Sequence, residues 1–262
     1  NTLPKDIEFR SAAYRFQTGP AGAREEFVVE IPMKNVTFTI DDQKKTYKAR
    51  ISLVALLKDA NGALVQKFNR DLPLQGTTDK LAGVQAANFT YKEQYSLPPG
   101  RYSFETAVMD REGNKLGARK TAVVVTPKQP GVEMSNIALV RNYQPNAASL
   151  DPGDPFQFQG GRIVPSVSPN IRGGKGSQLA MFFVVYPDPA VPDKPQIVLE
   201  YIKDGTVVGR GEVPLPAADA NGRIPYVMSS SAEVMTPGAY EIHAVAKQGS
   251  STTEERTFIT VE

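Results

Sequence analysis

The 262-residue chain contains no cysteine, no tryptophan and a single histidine, His243. Without cysteine there is no disulfide, no thiolate zinc site and no thiol nucleophile, and the redox compartment stays open. One histidine argues against the Ser-His-Asp triad and against multi-histidine metal arrangements. Without tryptophan, the commonest aromatic platform for a sugar ring is missing. No apolar run approaches the roughly 20 residues needed to span a bilayer. The longest, Leu179-Ala-Met-Phe-Phe-Val-Val-Tyr186, has the length of a strand and stops at Pro187. Charge of one sign is scarce too: 30 Lys+Arg balance 28 Asp+Glu, leaving +2 and no run of like charges. That balance offers no footprint for nucleic acid and no polybasic patch for an anionic membrane. No signal peptide is visible, and a chain beginning at Asn1 reads as a mature or excised fragment whose targeting segment lay upstream.

What is present points to β-structure. Hydrophobic residues make up 40%, enough for a core, and the length suits two sandwich domains of about 100 residues better than one. Twenty-one prolines and 21 glycines separate short runs rich in Val, Ile, Thr, Phe and Tyr, the pattern of many strands with tight connections. Strands are expected at 7–16, 27–38, 47–58, 64–72, 89–95, 102–110 and 120–125. A second set is expected at 137–143, 162–167, 179–186, 196–203, 206–212, 226–230, 240–247 and 256–261. Alternation supports them: Tyr102, Phe104, Thr106 and Val108 share one face, as do Tyr240, Ile242, Ala244 and Ala246. Only 79–87 hints at a helix, short and interrupted by Gly83, with Asp79 as its candidate cap.

The two halves repeat one another. Leu97-Pro-Pro-Gly-Arg-Tyr-Ser-Phe104 is matched by Met235-Thr-Pro-Gly-Ala-Tyr-Glu-Ile242, and each leads through a polar turn into a β-rich strand. Upstream, Leu57-Lys-Asp-Ala-Asn-Gly62 before Arg70-Asp-Leu-Pro-Leu74 is echoed by Ile202-Lys-Asp-Gly205 before Gly211-Glu-Val-Pro-Leu215. The same order at similar spacing implies a tandem duplication. The expected fold is therefore all-β, two tandem immunoglobulin/fibronectin III-like antiparallel β-sandwich domains spanning 1–127 and 132–262. Between them Thr126-Pro-Lys-Gln-Pro-Gly131 reads as a linker. In each Pro-Gly-x-Tyr, the proline and glycine suit a tight turn, and the tyrosine starts a strand facing inward with its hydroxyl free to reach loop backbone.

Catalytic chemistry is hard to find. Alternation puts His243 on the outer face beside Glu241 and Lys247, at the position of Glu105 in the first repeat, so a solvent-facing strand residue is expected. Gly173-Gly-Lys-Gly-Ser177 lacks the spacing and the following helix of a phosphate-binding loop and reads as a flexible loop tip. The turns Asp110-Arg-Glu-Gly-Asn114 and Asp151-Pro-Gly-Asp154 lack calcium-loop spacing and read as turn chemistry. A carboxylate pair for glycoside hydrolysis has no support in the sequence. Tyr143, Phe156, Phe158 and Tyr186 fall outside the pattern of strand aromatics, and domain packing is the favoured reading over a sticky surface.

Several stretches carry a family likeness: Phe27-Val-Val-Glu-Ile-Pro-Met-Lys-Asn-Val-Thr-Phe38, the Phe89-Thr-Tyr91 and Leu97–Val108 pair, and Phe182-Phe-Val-Val-Tyr-Pro-Asp-Pro189. Together they resemble the C-terminal β-sandwich region that follows the von Willebrand factor A domain in secreted acidobacterial-type proteins. The resemblance implies an exported bacterial protein whose A domain, encoded upstream, coordinates metal through an Asp-x-Ser-x-Ser motif that is absent here. The function expected is a non-catalytic extracytoplasmic binding or scaffolding module (periplasmic, cell-surface or secreted). It would engage a protein partner or support an adjacent adhesion domain, with no cofactor, no metal and no catalytic residue of its own. A carbohydrate-binding sandwich using the aromatic and Pro-rich loops of the second half is the alternative, and a hydrolase comes third.

Overall fold

A computed structural model describes residues 2–145 and 153–262, and over these the chain is all-β. It divides into two compact units, one of Asn1–Ala13 with Phe27–Thr126 and one of Tyr14–Glu26 with Pro127–Glu262. The hairpin of β1 (Arg10–Gly19) and β2 (Gly22–Pro32) thus has its tip in the second unit, where a cut at the linker alone assigns it to the first. The reason is a set of contacts with residues far along the chain. The Arg15 backbone N–H donates to Asn136 Oδ1 (2.7 Å), and the Asn136 N–H donates to the Arg15 carbonyl (2.8 Å).

The first unit continues with β3 (Thr39–Asp41), β4 (Thr46–Asp59), β5 (Leu64–Thr77), β6 (Asn88–Leu97), β7 (Gly100–Asp110) and β8 (Lys115–Val125). One sheet has β4 flanked by β5 on one side and by β3 and β7 on the other, with β8 beyond β7; the second sheet runs β1-β2-β6. Period two sets the core. Along β4, Tyr47, Ala49, Ile51, Leu53, Ala55 and Leu57 are buried while the residues between them are not. The expected strand at 27–38 ends at Pro32, and Met33–Asn35 form a 3-10 turn. The expected helix at 79–87 is a 3-10 turn, Thr78–Lys80, running into α1 (Leu81–Ala86). Asp79 does not cap it: Lys80 is the N-cap, without a side-chain bond, and the Asp79 carboxylate turns to Thr77 instead.

The second unit holds β9 (Glu133–Met134), β10 (Ala138–Gln144), β11 (Gln157–Phe158), β12 (Gly161–Ser166), β13 (Asn170–Ile171) and β14 (Gln178–Tyr186). It ends with β15 (Gln196–Lys203), β16 (Thr206–Val213), β17 (Ile224–Ser231), β18 (Gly238–Gln248) and β19 (Ser251–Val261). One sheet runs β11-β12-β10-β14-β17, with β9 also on β14, and the other runs β13-β19-β18-β15-β16. Met181, Phe183 and Val185 from β14 meet Ile197, Leu199, Ile242 and Ile259 from the facing sheet to form the core. The antiparallel expectation is corrected at β13, which lies parallel to β19.

Residues aligned by their ladders make the two units comparable. Leu57 stands opposite Phe104 and Gln66, and Tyr201 opposite Ile242 and Gly209. Each edge strand then carries one extra, unmatched residue, Val65 in β5 and Val208 in β16, so the same β-bulge recurs. This alignment sets Phe68, opposite Ala55, against Gly211, opposite Leu199. It moves the Arg70/Gly211 match read from the motifs by two residues, which period two leaves on the same face, and corrects the Leu57/Ile202 match by one residue, which puts Tyr201 on the face that Leu57 occupies. The Pro-Gly-x-Tyr turns agree more closely. The Tyr102 hydroxyl donates to the Pro98 carbonyl at 2.8 Å and the Tyr240 hydroxyl to the Thr236 carbonyl at 2.9 Å. Tyr240 is buried and Tyr102 only partly so, and of the two turn glycines only Gly238 takes a positive φ, +135°.

Candidate functional site

In both units the bulged strand forms one sheet's edge and stands across the sandwich from the edge of the other sheet. In the first unit that gap is filled. Phe68 of β5 is buried with its ring 5.4 Å from Tyr91 of β6 and 6.2 Å from Phe104. Over them Arg70 stacks on Tyr91 at 5.4 Å and donates to Glu93 at 2.7 Å. Burial, reinforced by Glu93, raises the Tyr91 phenol above its ordinary range.

In the second unit the corresponding gap between β16 and β17 is an open groove of about 580 Å³. Gly209 and Gly211 stand where Gln66 and Phe68 stand in the first unit, and a Cβ built on Gly211 meets nothing within 4 Å. The walls are mostly apolar, with Tyr201, Val208, Met228 and Val234 among them. Val208 and Val234 are 57% and 86% exposed, so the groove is lined by surface that a solitary sandwich normally covers. The Tyr201 hydroxyl and Ser230 Oγ, 3.2 Å apart, tie the two sheets together beneath it. At one end Lys203 donates to Thr236 Oγ1 at 2.5 Å and to the Pro237 carbonyl at 2.9 Å, and lies 5.1 Å from the centre of the Tyr240 ring. Among the described residues no strand pairs with the outer edge of β16.

His243 occupies the outer face of β18, as alternation demands, yet it is only 9% exposed, which corrects the solvent-facing expectation. The cover comes from long neighbouring side chains. Nε2 lies 2.8 Å from Glu254 Oε2, and Nδ1 lies 3.4 Å from Glu200 Oε2. The hydrogen bond from His243 holds the Glu254 carboxyl below its ordinary range. Glu105, at the same ladder position in the first unit, lies 2.5 Å from Lys58 and 3.1 Å from Lys120, which lower its pKa. A central anion between two cations in one unit is thus a histidine between two carboxylates in the other. The pattern is an ion-pair row on a sheet face. Among the described residues no cluster of three or more His, Asp or Glu side chains is placed to hold a metal ion.

The remaining residues singled out from the sequence have structural explanations. Asp110, fully buried, accepts from the Thr37 N–H (2.9 Å) and the Gly113 N–H (3.0 Å), so its carboxylate is occupied by turn backbone. Asp154 accepts from the Phe156 N–H at 3.0 Å, whereas Asp151 lies outside the described residues. Gly174 and Gly176 adopt positive φ in a turn where the Ser177 N–H donates to the Gly174 carbonyl at 3.1 Å, so the glycines serve the backbone of a turn. Phe156 and Tyr186 are buried inside the second unit, Phe156 edge-on to Tyr14 and Phe16 at 5.7 and 5.2 Å. Tyr143 is 41% exposed and donates to the Phe158 and Gln159 carbonyls, both at 3.1 Å.

Sequence reading missed a charged layer at the hairpin tip. Arg15 pairs with Glu255, whose other oxygen accepts from Asn136 Nδ2 at 2.7 Å, and the Thr18 N–H donates to Glu133 Oε2 at 3.0 Å. Burial pushes the neighbouring Glu25 carboxyl up to about 7, against the opposing pull of Arg15. The groove was missed as well, although Gly-Arg-Gly inside a strand was a usable signal. Glycines at i and i+2 strip one face of side chains, and glycine within a strand often marks the close approach of another backbone.

No protein-family model matches the chain, and no curated protein matches it. Among solved structures the chain is similar to an ICAM-5 D1–D4 ectodomain fragment, with 9% identity and a TM-score of 0.29 over 97% of this chain and 53% of that one. It is also similar to the C-terminal domain of the Streptococcus pyogenes antigen I/II-family protein AspA, with 11% identity and a TM-score of 0.25 over 98% and 99% of the two chains. The chain spans about half the length of the ICAM-5 fragment. At these scores neither likeness bears on function, which has to be read from the chain's own residues.

Proposed function

We propose that the chain is a non-catalytic binding or scaffolding module that takes up an extended segment of a protein partner at the edge of its second sandwich. The observation that carries this reading is the contrast at one ladder position: Phe68 fills the gap behind the edge strand of the first unit, and Gly211 leaves the same gap open in the second. An edge strand offers unpaired N–H and C=O groups to an added strand, and the apolar groove beside it offers a place for alternate side chains. An extracytoplasmic setting and an adjoining adhesion domain of the von Willebrand factor A type belong to the same proposal, supported by the sequence resemblance alone.

Selection of displayed random peptides against the whole chain tests the reading, with the Gly211→Phe variant as the counter-screen. Enriched peptides with alternating apolar residues should bind the wild type and lose at least about tenfold in affinity on the variant, because the new ring takes their place. Recovery of no binders, or of binders indifferent to Gly211→Phe, would remove the groove as the binding site.

A further inference from the structure

We propose that the partner of β16 is a second copy of this chain, joined by antiparallel pairing of β16 with β16 about a two-fold axis at Gly211. The inference rests on the reading of this edge as a protein-binding site and names its occupant. A two-fold axis through an antiparallel strand pair sets one residue opposite its own copy, so the candidate registers are few. Centring on Arg210 or on Glu212 puts like charges face to face, which is unfavourable. Centring on Gly211 puts Arg210 of each copy opposite Glu212 of the other, twice over.

This register also builds on an ion pair already present at the edge. Across the outer face of the sheet the ladder reads Arg256, His243, Glu200, Arg210, with Arg210 Nε 3.6 Å from Glu200 Oε1. Glu212 of a second copy falls on the other side of Arg210, so the guanidinium would stand between two carboxylates, Glu200 of its own sheet and Glu212 of the second copy. On the inner face each Gly209 receives Val213 of the other copy, a small residue against a large one, beside the apolar groove. The frame ends itself: it runs Gly209–Val213, and the bulged Val208 falls opposite Pro214 of the other copy, which has no N–H to donate. Arg210 and Glu212 would deter an unrelated strand, whereas a second β16 in this register neutralises both. Five paired residues make a small interface, so a concentration-dependent dimer with a Kd of roughly micromolar to millimolar is expected.

Sedimentation equilibrium of the 262-residue chain, up to millimolar concentration, provides the test. The wild type should dimerise. Arg210→Glu and Glu212→Arg should each weaken the dimer by at least about tenfold, since each sets like charges opposite one another at two places. The double variant, Arg210→Glu with Glu212→Arg, should restore it. Both substitutions are at exposed edge positions, and circular dichroism verifies that the three variants fold. A monomeric wild type, or a dimer indifferent to the single substitutions, overturns the proposal. If the wild type is monomeric but selected peptides still discriminate against Gly211→Phe, only the identity of the occupant fails. If the peptides fail too, the binding reading falls with it.

Discussion

The two sandwiches carry the same bulged edge strand at the same ladder position but finish that edge differently. In the first unit Phe68, Tyr91 and Phe104 stack inward, and the Arg70–Glu93 pair closes over them. In the second, glycine replaces the phenylalanine, and the space it vacates stays open. The outer faces differ as well: Glu105 lies between Lys58 and Lys120 in one unit, and His243 lies between Glu200 and Glu254 in the other. Both units share these ladders because backbone pairing fixes them. Their edges are free to change, because an edge residue answers to one neighbouring strand instead of two.

Exchanging the two edge residues should break this comparison most strongly. Phe68→Gly removes a buried ring and should cost the first unit roughly 3–5 kcal/mol in a urea titration. Gly211→Phe should leave the second unit within about 1 kcal/mol of wild type, because its backbone is not in the left-handed region and the added side chain meets open space. Equal losses from both substitutions would mean that the two edges do not differ as described.

The buried Glu25 sharpens the contrast through pH. Its folded-state pKa, about 7, is raised above the ordinary 4.5. Its protonated form therefore favours folding: the contribution is full below about pH 4.5 and is lost as pH rises through 7. Glu25→Gln should flatten that slope and stabilise the second unit above pH 7 by up to about 3 kcal/mol. Denaturation curves at several pH values would show it, and an unchanged slope would contradict it. The smallest effect concerns the tyrosine turns. Tyr240→Phe should cost about 1 kcal/mol and Tyr102→Phe about 0.5, since the first hydroxyl is the more buried. Equal losses would show that the difference in burial does not matter.

Much of the strand pattern was open to a reader of the sequence. The run 196–203 coincides with β15 because its apolar residues, Ile197–Leu199 and Tyr201–Ile202, are mostly β-branched or aromatic and are bounded by Pro195 and Gly205. The starts of β8 and β19 were placed five residues late, at 120 and 256 instead of Lys115 and Ser251. Polar residues on both faces, such as Arg119 with Lys120 and Thr253 with Glu254, look like loop although the ladder continues through them. Face assignment for His243 was correct, but its burial depended on Glu200 and Glu254, which two neighbouring strands supply. The open edge was the least legible feature, because a glycine announces a gap only once the opposite sheet is in place. The hairpin tip was illegible for a simpler reason: Arg15 and Glu255 are separated by 240 residues.

That separation has a consequence in time. Arg15 leaves the ribosome long before Glu255 has been translated, and at 5–20 residues per second the gap is roughly 12–50 seconds. Throughout that interval Phe16 and the Glu25 side of the hairpin have no second sandwich to cover them. The nascent chain therefore spends its longest vulnerable period with an apolar strand pair unprotected, and synthesis speed, or a chaperone that recognises exposed hairpins, becomes a determinant of yield.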